Sequence, residues 1–353
     1  MSQNTVFVIG AGASEEARLP TGYELKRKIA DLLYISFEHF NQQISGDRTI
    51  VNALRLFVQQ PNGSNRDINP YLLEARYISN ALPLAISIDN FIHAQRGNDI
   101  IALCGKLAIV RSILEAEKNS RLYFEKSRID SNIDFASLEK TWYIPFFQLL
   151  TENCEKDELK GRFETIALIV FNYDRCVEHF IYCALINYYK ISDAEAAELV
   201  KSIDIYHPYG GVGSLPWMSH TGGLEFGAEP NAKQLLELSQ KIKTFTEGTD
   251  PDSSEILEIR RHMLSAWRWV FLGFAFHKLN MELISPYEFF KDREPYSIKN
   301  CFGTTYGISD SDREVIEEQI SKLCGRHGRS IKVRMANLPC NEFFKEFWRS
   351  LAF

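Results

Sequence analysis

Short apolar runs alternate with longer helical patterns along this chain. The first run, Val6–Ile9, leads directly into the turn Gly10-Ala11-Gly12-Ala13-Ser14. Its β-branched and aromatic residues suit a buried strand. Similar runs at 164–173, 203–206, 269–273, 298–302 and 331–334 predict further strands. Because helical patterns separate these runs, the sequence predicts an α/β fold with a parallel sheet and right-handed crossovers.

Helical periodicity dominates two stretches between the predicted strands. Apolar residues at helical spacing predict an amphipathic helix from Tyr23 to Phe40. From about 41 to 160 the pattern is mainly helical and no strand is predicted, which indicates a helical insertion or subdomain. Residues 222–265 predict a second, smaller helical insertion. We therefore expect one domain over 1–353 that carries two insertions.

Composition and charge argue against several classes of protein. Of the 353 residues, 45% are hydrophobic and 24% are charged, as in an ordinary globular protein. The net charge of −6 argues against direct nucleic-acid binding. The seven cysteines are scattered and form no C-x-x-C pair, which indicates free thiols in a reducing cytoplasm. The chain starts directly in a predicted strand, which argues against a signal peptide. No apolar run approaches the roughly 18 residues that span a bilayer, so no membrane span is expected. The histidines show no metal-ligand spacing, so no bound metal is expected.

Unusual residues follow several of the predicted strands. They are Gly10–Ser14, Asn172–Asp174, His207–Gly213 and a glycine-marked segment from Gly273. Open parallel sheets bind ligands beyond the carboxyl ends of their strands. A strand, a glycine turn and a helix together bring backbone N–H groups to a phosphate. The sequence therefore predicts a nucleotide site, although a turn that serves only backbone geometry stays open.

The glycine turn does not fit the common nucleotide fingerprints. In G-x-G-x-x-G the third glycine falls at Glu15, and the residue about 20 positions on is Ala30 or Asp31, inside a predicted helix. Hydride transfer by a dinucleotide-dependent dehydrogenase is therefore disfavoured. A Walker loop is excluded because no G-K-[ST] follows.

Several motifs in this order resemble the sirtuin-like fold, a Rossmann-type parallel sheet with a helical insertion. They are GAGAS after the first strand, FNYD after a second, a histidine–glycine turn after a third, FLGFAF at 271–276 and TTYG at 304–307. More narrowly, and together with SIDNFI at 87–92, the chain resembles the prokaryotic sirtuin-like NAD-degrading proteins of antiphage defence. The resemblance covers essentially the whole chain.

The chain also departs from sirtuin deacetylases. It lacks their two zinc-binding C-x-x-C pairs, and Arg18–Gly22 lacks the Asp-Phe-Arg of their loop. His207 is separated from Gly210 by Pro208-Tyr209, whereas the deacetylases place histidine and glycine side by side. Protein deacetylation is therefore disfavoured.

The resemblance implies cleavage of the nicotinamide–ribose bond of NAD, through an oxocarbenium-like state as in glycoside hydrolysis. Asn172 would hold the attacking water or the ribose hydroxyls, and His207 would be the general base. Asp174 would accept a hydrogen bond from the nicotinamide carboxamide. The residues expected to bind NAD are Gly10, Ala11, Gly12, Ser14, Gly22, Asp174, Gly210, Gly273 and Thr305.

Structural interpretations of the same side chains stay open. Asp174 can cap the following helix, and His207 can be a strand-end histidine that bonds to the backbone. Asn172 is harder to explain structurally, because a buried amide without partners costs roughly 1–3 kcal/mol.

The resulting functional hypothesis is an NAD glycohydrolase that depletes cellular NAD in abortive infection. The resemblance implies control by self-assembly, as a homo-oligomer, or by a partner ATPase or another defence subunit. Two alternatives stay open: a non-catalytic sensor that binds NAD or ADP-ribose, and an ADP-ribosyltransferase.

Overall fold

Six parallel strands form the central sheet of the protein. The computed structural model describes residues 4–39, 42–59, 67–126, 131–219, 222–243, 253–286, 299–323 and 331–353. In chain order the strands are β1 Thr5–Ile9, β2 Ser36–Glu38, β3 Gln42–Ser45, β4 Ile166–Val170, β5 Asp204–Tyr206, β6 Arg268–Leu272, β7 Lys299–Thr304 and β8 Ile331–Ala336. The sheet runs β5–β4–β1–β6–β7–β8, and β2 and β3 form a separate antiparallel pair.

The strand order reverses direction at β1. The chain passes from β1 outward to β4 and β5, then returns to the other side of β1 for β6, β7 and β8. This is the doubly wound Rossmann order, whose ligand crevice lies beyond the strand ends at the reversal. The predicted Rossmann-type α/β fold is confirmed, and the crevice falls between the ends of β4, β1 and β6.

Alternating side chains of the central strands enter two separate hydrophobic layers. Val8 of β1 pairs in register with Ile169 and Phe271, and all three enter one layer. Phe7 lies beside Leu168, which enters the other layer with it. Because both faces are covered, β1, β4 and β6 are buried along their whole length and need continuous apolar runs.

Helices cover both faces of the sheet. They span Ala11–Ser14, Gly22–Leu33, Arg48–Val58, Asn69–Ala81, Ile88–Ala94, Asp99–Lys118, Tyr143–Thr151, Leu159–Phe163, Cys176–Tyr189, Asp193–Lys201, Ala232–Ser239, Ser254–Ser265, Lys278–Ile284, Asp310–Lys322 and Cys340–Leu351. Among the described residues, no helix combines the length and the apolar character needed to cross a membrane.

The hairpin of β2 and β3 corrects two predictions. The helix predicted from Tyr23 to Phe40 ends at Leu33, and β3 lies inside the 41–160 block, where no strand was predicted. Both strands are short and mostly polar, and none of their residues is buried. They therefore lack the apolar runs from which the other strands were predicted.

A buried ion pair fastens the long helix Asp99–Lys118 to the segment after β4. Arg175 donates to Glu117 through Nε (3.0 Å) and Nη2 (2.5 Å), and its Nη1 donates to the carbonyl of Leu224. The C-terminal end of this helix is thus held close to the carboxyl end of β4. The division into a domain with insertions at 41–160 and 222–265 stays a prediction, and 60–66, 127–130 and 244–252 lie outside the described residues.

Candidate functional site

The glycine turn after β1 is shaped by contact with the turn after β6. Gly10 N–H donates to Leu272 O (2.9 Å), and Gly12 N–H donates to Gly273 O (3.0 Å). A Cβ on Gly10 would lie 2.5 Å from Gly273 O, and one on Gly273 would lie 2.0 Å from the Ala13 nitrogen. Gly273 also has φ +54°, in the left-handed region. Backbone packing therefore explains these glycines, and it commits the Gly10 and Gly12 N–H groups to protein carbonyls.

Asn172 joins the end of β4 to the glycine turn. Its Nδ2 donates to Gly10 O (3.1 Å) and to Ser14 Oγ (2.8 Å). The side chain is buried, and its Oδ1 has no hydrogen-bond partner within the described part of the chain. Asn172 therefore holds the turn through one end of its amide and leaves a buried acceptor at the other.

Asp174 accepts hydrogen bonds on both of its carboxylate oxygens. Its Oδ1 accepts from Cys176 N–H (3.1 Å) at the start of helix Cys176–Tyr189. Its Oδ2 accepts from Ser14 Oγ (3.0 Å), which extends the chain of hydrogen bonds from Asn172. Burial raises the pKa of the Asp174 carboxyl, although the bond from Cys176 opposes this shift. The side chain caps a helix and also borders the crevice.

His207 contacts the main chain of Asn172 and lines neither of the two cavities described below. Its Nε2 lies 2.6 Å from Glu178 Oε1, and its Nδ1 lies 3.1 Å from the main-chain oxygen of Asn172. Both nitrogens face acceptors, so the ring donates on both sides as an imidazolium. Burial lowers the pKa of His207, but the Glu178 carboxylate outweighs it and raises the pKa to about 9. This geometry leaves no lone pair for a general base, and the base role stays a prediction.

A first cavity, the polar cavity, lies between the glycine turn and the end of β4. Its volume is about 100 Å³. Its walls are mostly apolar, and Ser14, Asp89, Asn172 and Asp174 are among the residues that contribute polar groups to them. This space suits one polar group or a few waters and not a whole dinucleotide.

A second cavity, the glycine cavity, lies on the other side of the turn, toward β6 and β7. Its volume is about 490 Å³, within the range of ordinary ligand sites. Gly12, Gly273, Thr304 and Tyr306 are among its walls. Ala11 and Gly22 line both cavities, so the turn and the start of helix Gly22–Leu33 separate them. The two cavities together form a two-part crevice around one glycine turn.

Three predicted NAD-binding residues line neither cavity: Gly10, which packs against Gly273 as described above, Gly210 and Thr305. Gly210 has φ +69°, and a Cβ there would lie 1.9 Å from the carbonyl oxygen of Lys241, so it serves a close backbone contact. Thr305 is buried, and its N–H donates to Ala336 O (2.8 Å). Its neighbour Thr304 lines the glycine cavity, with its Oγ1 accepting from Gly273 N–H (2.9 Å).

Two residues at the site were not predicted to have a role. Asp89, from helix Ile88–Ala94, lines the polar cavity and accepts a hydrogen bond from the Tyr173 hydroxyl. Glu178 holds His207. A signal for Glu178 exists in the sequence, since it is a lone carboxylate among the mostly apolar positions Val177–Ile181. Asp89 has no such signal, because an acidic residue in the first turn of a helix is common.

No group of three or more potential metal ligands is found among the described residues. No protein-family model matches the chain, and no curated protein is significantly similar to it. The sirtuin-like interpretation therefore depends on the short sequence motifs alone.

Proposed function

We propose that this protein is an NAD glycohydrolase that cleaves the nicotinamide–ribose bond of NAD to give nicotinamide and ADP-ribose. A dinucleotide has two nucleoside halves joined by a diphosphate. The glycine cavity, of about 490 Å³, is in the range of ordinary ligand sites, and the polar cavity on the other side of the same turn has room for one polar group of the ligand or for the attacking water. They lie beyond the strand ends at the reversal of a doubly wound sheet, where such folds bind nucleotides.

The observation that carries the proposal is the buried Asn172 amide. Its Nδ2 is held by Gly10 and Ser14, whereas its Oδ1 lacks a partner within the described residues. A buried acceptor left unpaired costs roughly 1–3 kcal/mol. A ribose hydroxyl or a water in the polar cavity supplies the missing donor. The same hydrogen bond positions that group for reaction, because the amide cannot turn while Nδ2 holds the glycine turn.

The overall reaction consumes NAD and one water, and it releases nicotinamide, ADP-ribose and one proton. The C1′–N bond breaks, its electron pair leaves with nicotinamide, and a water oxygen bonds to C1′. Asn172 orients the water or the ribose, and Asp174 accepts from the carboxamide. In this arrangement His207 acts through position, because it donates to the main-chain oxygen of Asn172.

One observation favours a second candidate, a sensor that binds NAD or ADP-ribose without cleaving it. The imidazole of His207 is held between Glu178 and Asn172 and cannot accept a proton there. A sensor binds the dinucleotide in calorimetry but releases no nicotinamide. An ADP-ribosyltransferase releases nicotinamide and leaves ADP-ribose on a macromolecule.

The test is incubation of the purified full chain with NAD, with nicotinamide and ADP-ribose followed by chromatography. We expect both products in equal amounts. Asn172→Ala should lower turnover roughly 100-fold or more, the scale seen when one donor or acceptor that positions a reacting group is removed. Asn187→Ala is the matched control, because Asn187 is exposed on helix Cys176–Tyr189 and lines neither cavity.

The assay should cover a range of protein concentrations, since the resemblance implies that assembly controls the activity. Nicotinamide release at the wild-type rate from Asn172→Ala contradicts the proposed role of the amide. Tight NAD binding without products at any concentration favours the sensor. A role in antiphage defence is supported by the motif resemblance alone, and cellular NAD levels during infection would test it.

A further inference from the structure

We propose that Asp89 is the residue that takes the proton from the attacking water. This inference rests on the proposed hydrolysis of NAD and adds a catalytic residue to it. Asp89 comes from the helical block between β1 and β4 and lines the polar cavity together with Asn172 and Asp174. The block would then contribute to the chemistry as well as cover the sheet.

The hydrogen bonds of the other titratable groups point to Asp89. The polar cavity has two carboxylate walls, Asp89 and Asp174. Both oxygens of Asp174 accept hydrogen bonds, from Ser14 Oγ and from Cys176 N–H. His207 faces acceptors through both ring nitrogens. Asp89 is the other carboxylate at the cavity, and the hydrogen bond that it accepts from another side chain goes to Oδ1.

Tyr173 fixes the orientation of Asp89. Its hydroxyl donates to Asp89 Oδ1, and Tyr173 directly follows Asn172 in the chain. This bond holds the carboxylate through Oδ1 to a residue adjacent to Asn172, and in the proposal Oδ2 receives the proton. In this proposal Oδ1 orients the carboxylate and Oδ2 takes the proton.

The surroundings of Asp89 raise the pKa of its carboxyl group. Burial raises the pKa of the Asp89 carboxyl, and the hydrogen bond from Tyr173 opposes this shift. The other charged or titratable groups nearby are Tyr209, whose pKa Asp89 helps to raise, and Asp174 in the same cavity. Lys26 donates to the carbonyl of Ala85, in the segment that precedes helix Ile88–Ala94. A carboxylate with a raised pKa is a better base than an ordinary aspartate.

In the proposed step the water oxygen bonds to C1′ as the nicotinamide leaves, and one O–H proton passes to Asp89 Oδ2. The protonated Asp89 then releases that proton to solvent. The carboxylate is restored, and the net reaction remains NAD plus water to nicotinamide, ADP-ribose and a proton.

The test compares Asp89→Asn with wild type in the NAD assay and in calorimetric NAD binding. Asparagine keeps the shape and can still accept from Tyr173, but it cannot take a proton. We expect kcat to fall about 100-fold or more, while NAD affinity stays close to that of the wild type. Asp99→Asn is the control: Asp99 is also an acidic residue in the first turn of a helix in this block, and it is exposed.

A second variant separates proton transfer from a merely structural role. Tyr173→Phe removes the hydrogen bond that lowers the pKa of Asp89. The acidic limb of the kcat/KM profile should therefore move to higher pH in Tyr173→Phe. An unmoved acidic limb, or wild-type kcat in Asp89→Asn, overturns the role of Asp89. A wild-type chain that releases no nicotinamide in any condition overturns the proposed function itself, which is a distinct result.

Discussion

The polar cavity and the glycine cavity share a wall but are built in opposite ways. The polar cavity depends on side chains that exchange hydrogen bonds, from Asn172 through Ser14 to Asp174. The glycine cavity depends on two backbone turns that touch at Gly12 and Gly273 without side chains between them. The wall of the polar cavity, called the polar wall, therefore depends on which side-chain groups are present. The wall of the glycine cavity, called the glycine wall, depends on the absence of a Cβ.

This difference predicts how each wall responds to substitution. An isosteric replacement in the polar wall changes its chemistry and leaves its shape nearly intact. A single methyl group in the glycine wall forces two backbone segments apart, because close-packed backbone cannot relax as a flexible side chain does.

The largest effect is expected for Gly273→Ala. Its Cβ would lie 2.0 Å from the Ala13 nitrogen, and alanine would also have to adopt φ +54°. We expect a loss of more than about 4 kcal/mol in the free energy of unfolding, measured by urea denaturation. Gly307→Ala is the control, because Gly307 has φ +75° with open space around it. It should lose only about 1–2 kcal/mol, the cost of the left-handed conformation. Equal losses in the two variants would contradict the steric explanation.

A smaller effect is expected behind the polar wall, for Glu178→Gln. This change leaves the partly buried His207 without its counter-charge, and the free energy of unfolding at pH 6.5 should fall by roughly 3 kcal/mol. In the wild type the pKa of His207 is raised to about 9 from about 6.5 in the unfolded chain. The stability that this shift contributes is thus complete below pH 6.5 and is lost as the pH rises through 9.

At acid pH the contribution of Glu178 to stability depends on pH in the opposite direction: it falls as the pH falls. Burial favours the neutral form of Glu178, but the His207 imidazolium lowers its pKa below the usual value. The stability from this group is present above about pH 4.5 and is lost as the pH falls through the lowered pKa. Urea midpoints between about pH 3 and 9.5 measure both sides. If Glu178→Gln keeps the wild-type decline between pH 7 and 9, the pair is not its cause.

The smallest effect is expected for Gly22→Ala, in the wall that the two cavities share. A Cβ there meets nothing within 4 Å, and Gly22 is the first residue of helix Gly22–Leu33. Alanine should raise the free energy of unfolding by up to about 1 kcal/mol, because glycine loses more conformational freedom on folding. Thermal denaturation measures the change. A marked loss of stability would show that the space is needed for packing.

The sequence predicted most of the sheet because its central strands are buried on both faces. Continuous apolar runs such as Val6–Ile9, bounded by turn residues, are typical of strands in that position. The antiparallel pair of β2 and β3 was missed, since short, mostly polar strands carry no such pattern. The helix prediction continued through Ile35 and Phe37 because their spacing also fits a helix.

At the site, the sequence predicted which residues follow the strands but not how they bond. That Asn172, Asp174 and Ser14 meet follows from neighbouring parallel strands, whose ends lie at one edge. The pairing of His207 with Glu178 depends on the rotation of a helix, which periodicity fixes only approximately. Asp89 lies 83 residues before Asn172 (172 − 89), and tertiary packing of the helical block brings it to the cavity.

The glycine turn also has a consequence for synthesis of the chain. Glu16, just after the turn, accepts hydrogen bonds from Trp142 N–H (2.6 Å) and from Asn341 N–H (3.0 Å). The turn itself packs against Gly273. Ribosomes make the N-terminal part first. The glycine turn therefore cannot form its contacts with Trp142, Gly273 and Asn341 until these residues have been translated. A nascent or truncated chain that stops before Asn341 lacks the last of these supports, and the crevice is complete only after that residue has been added.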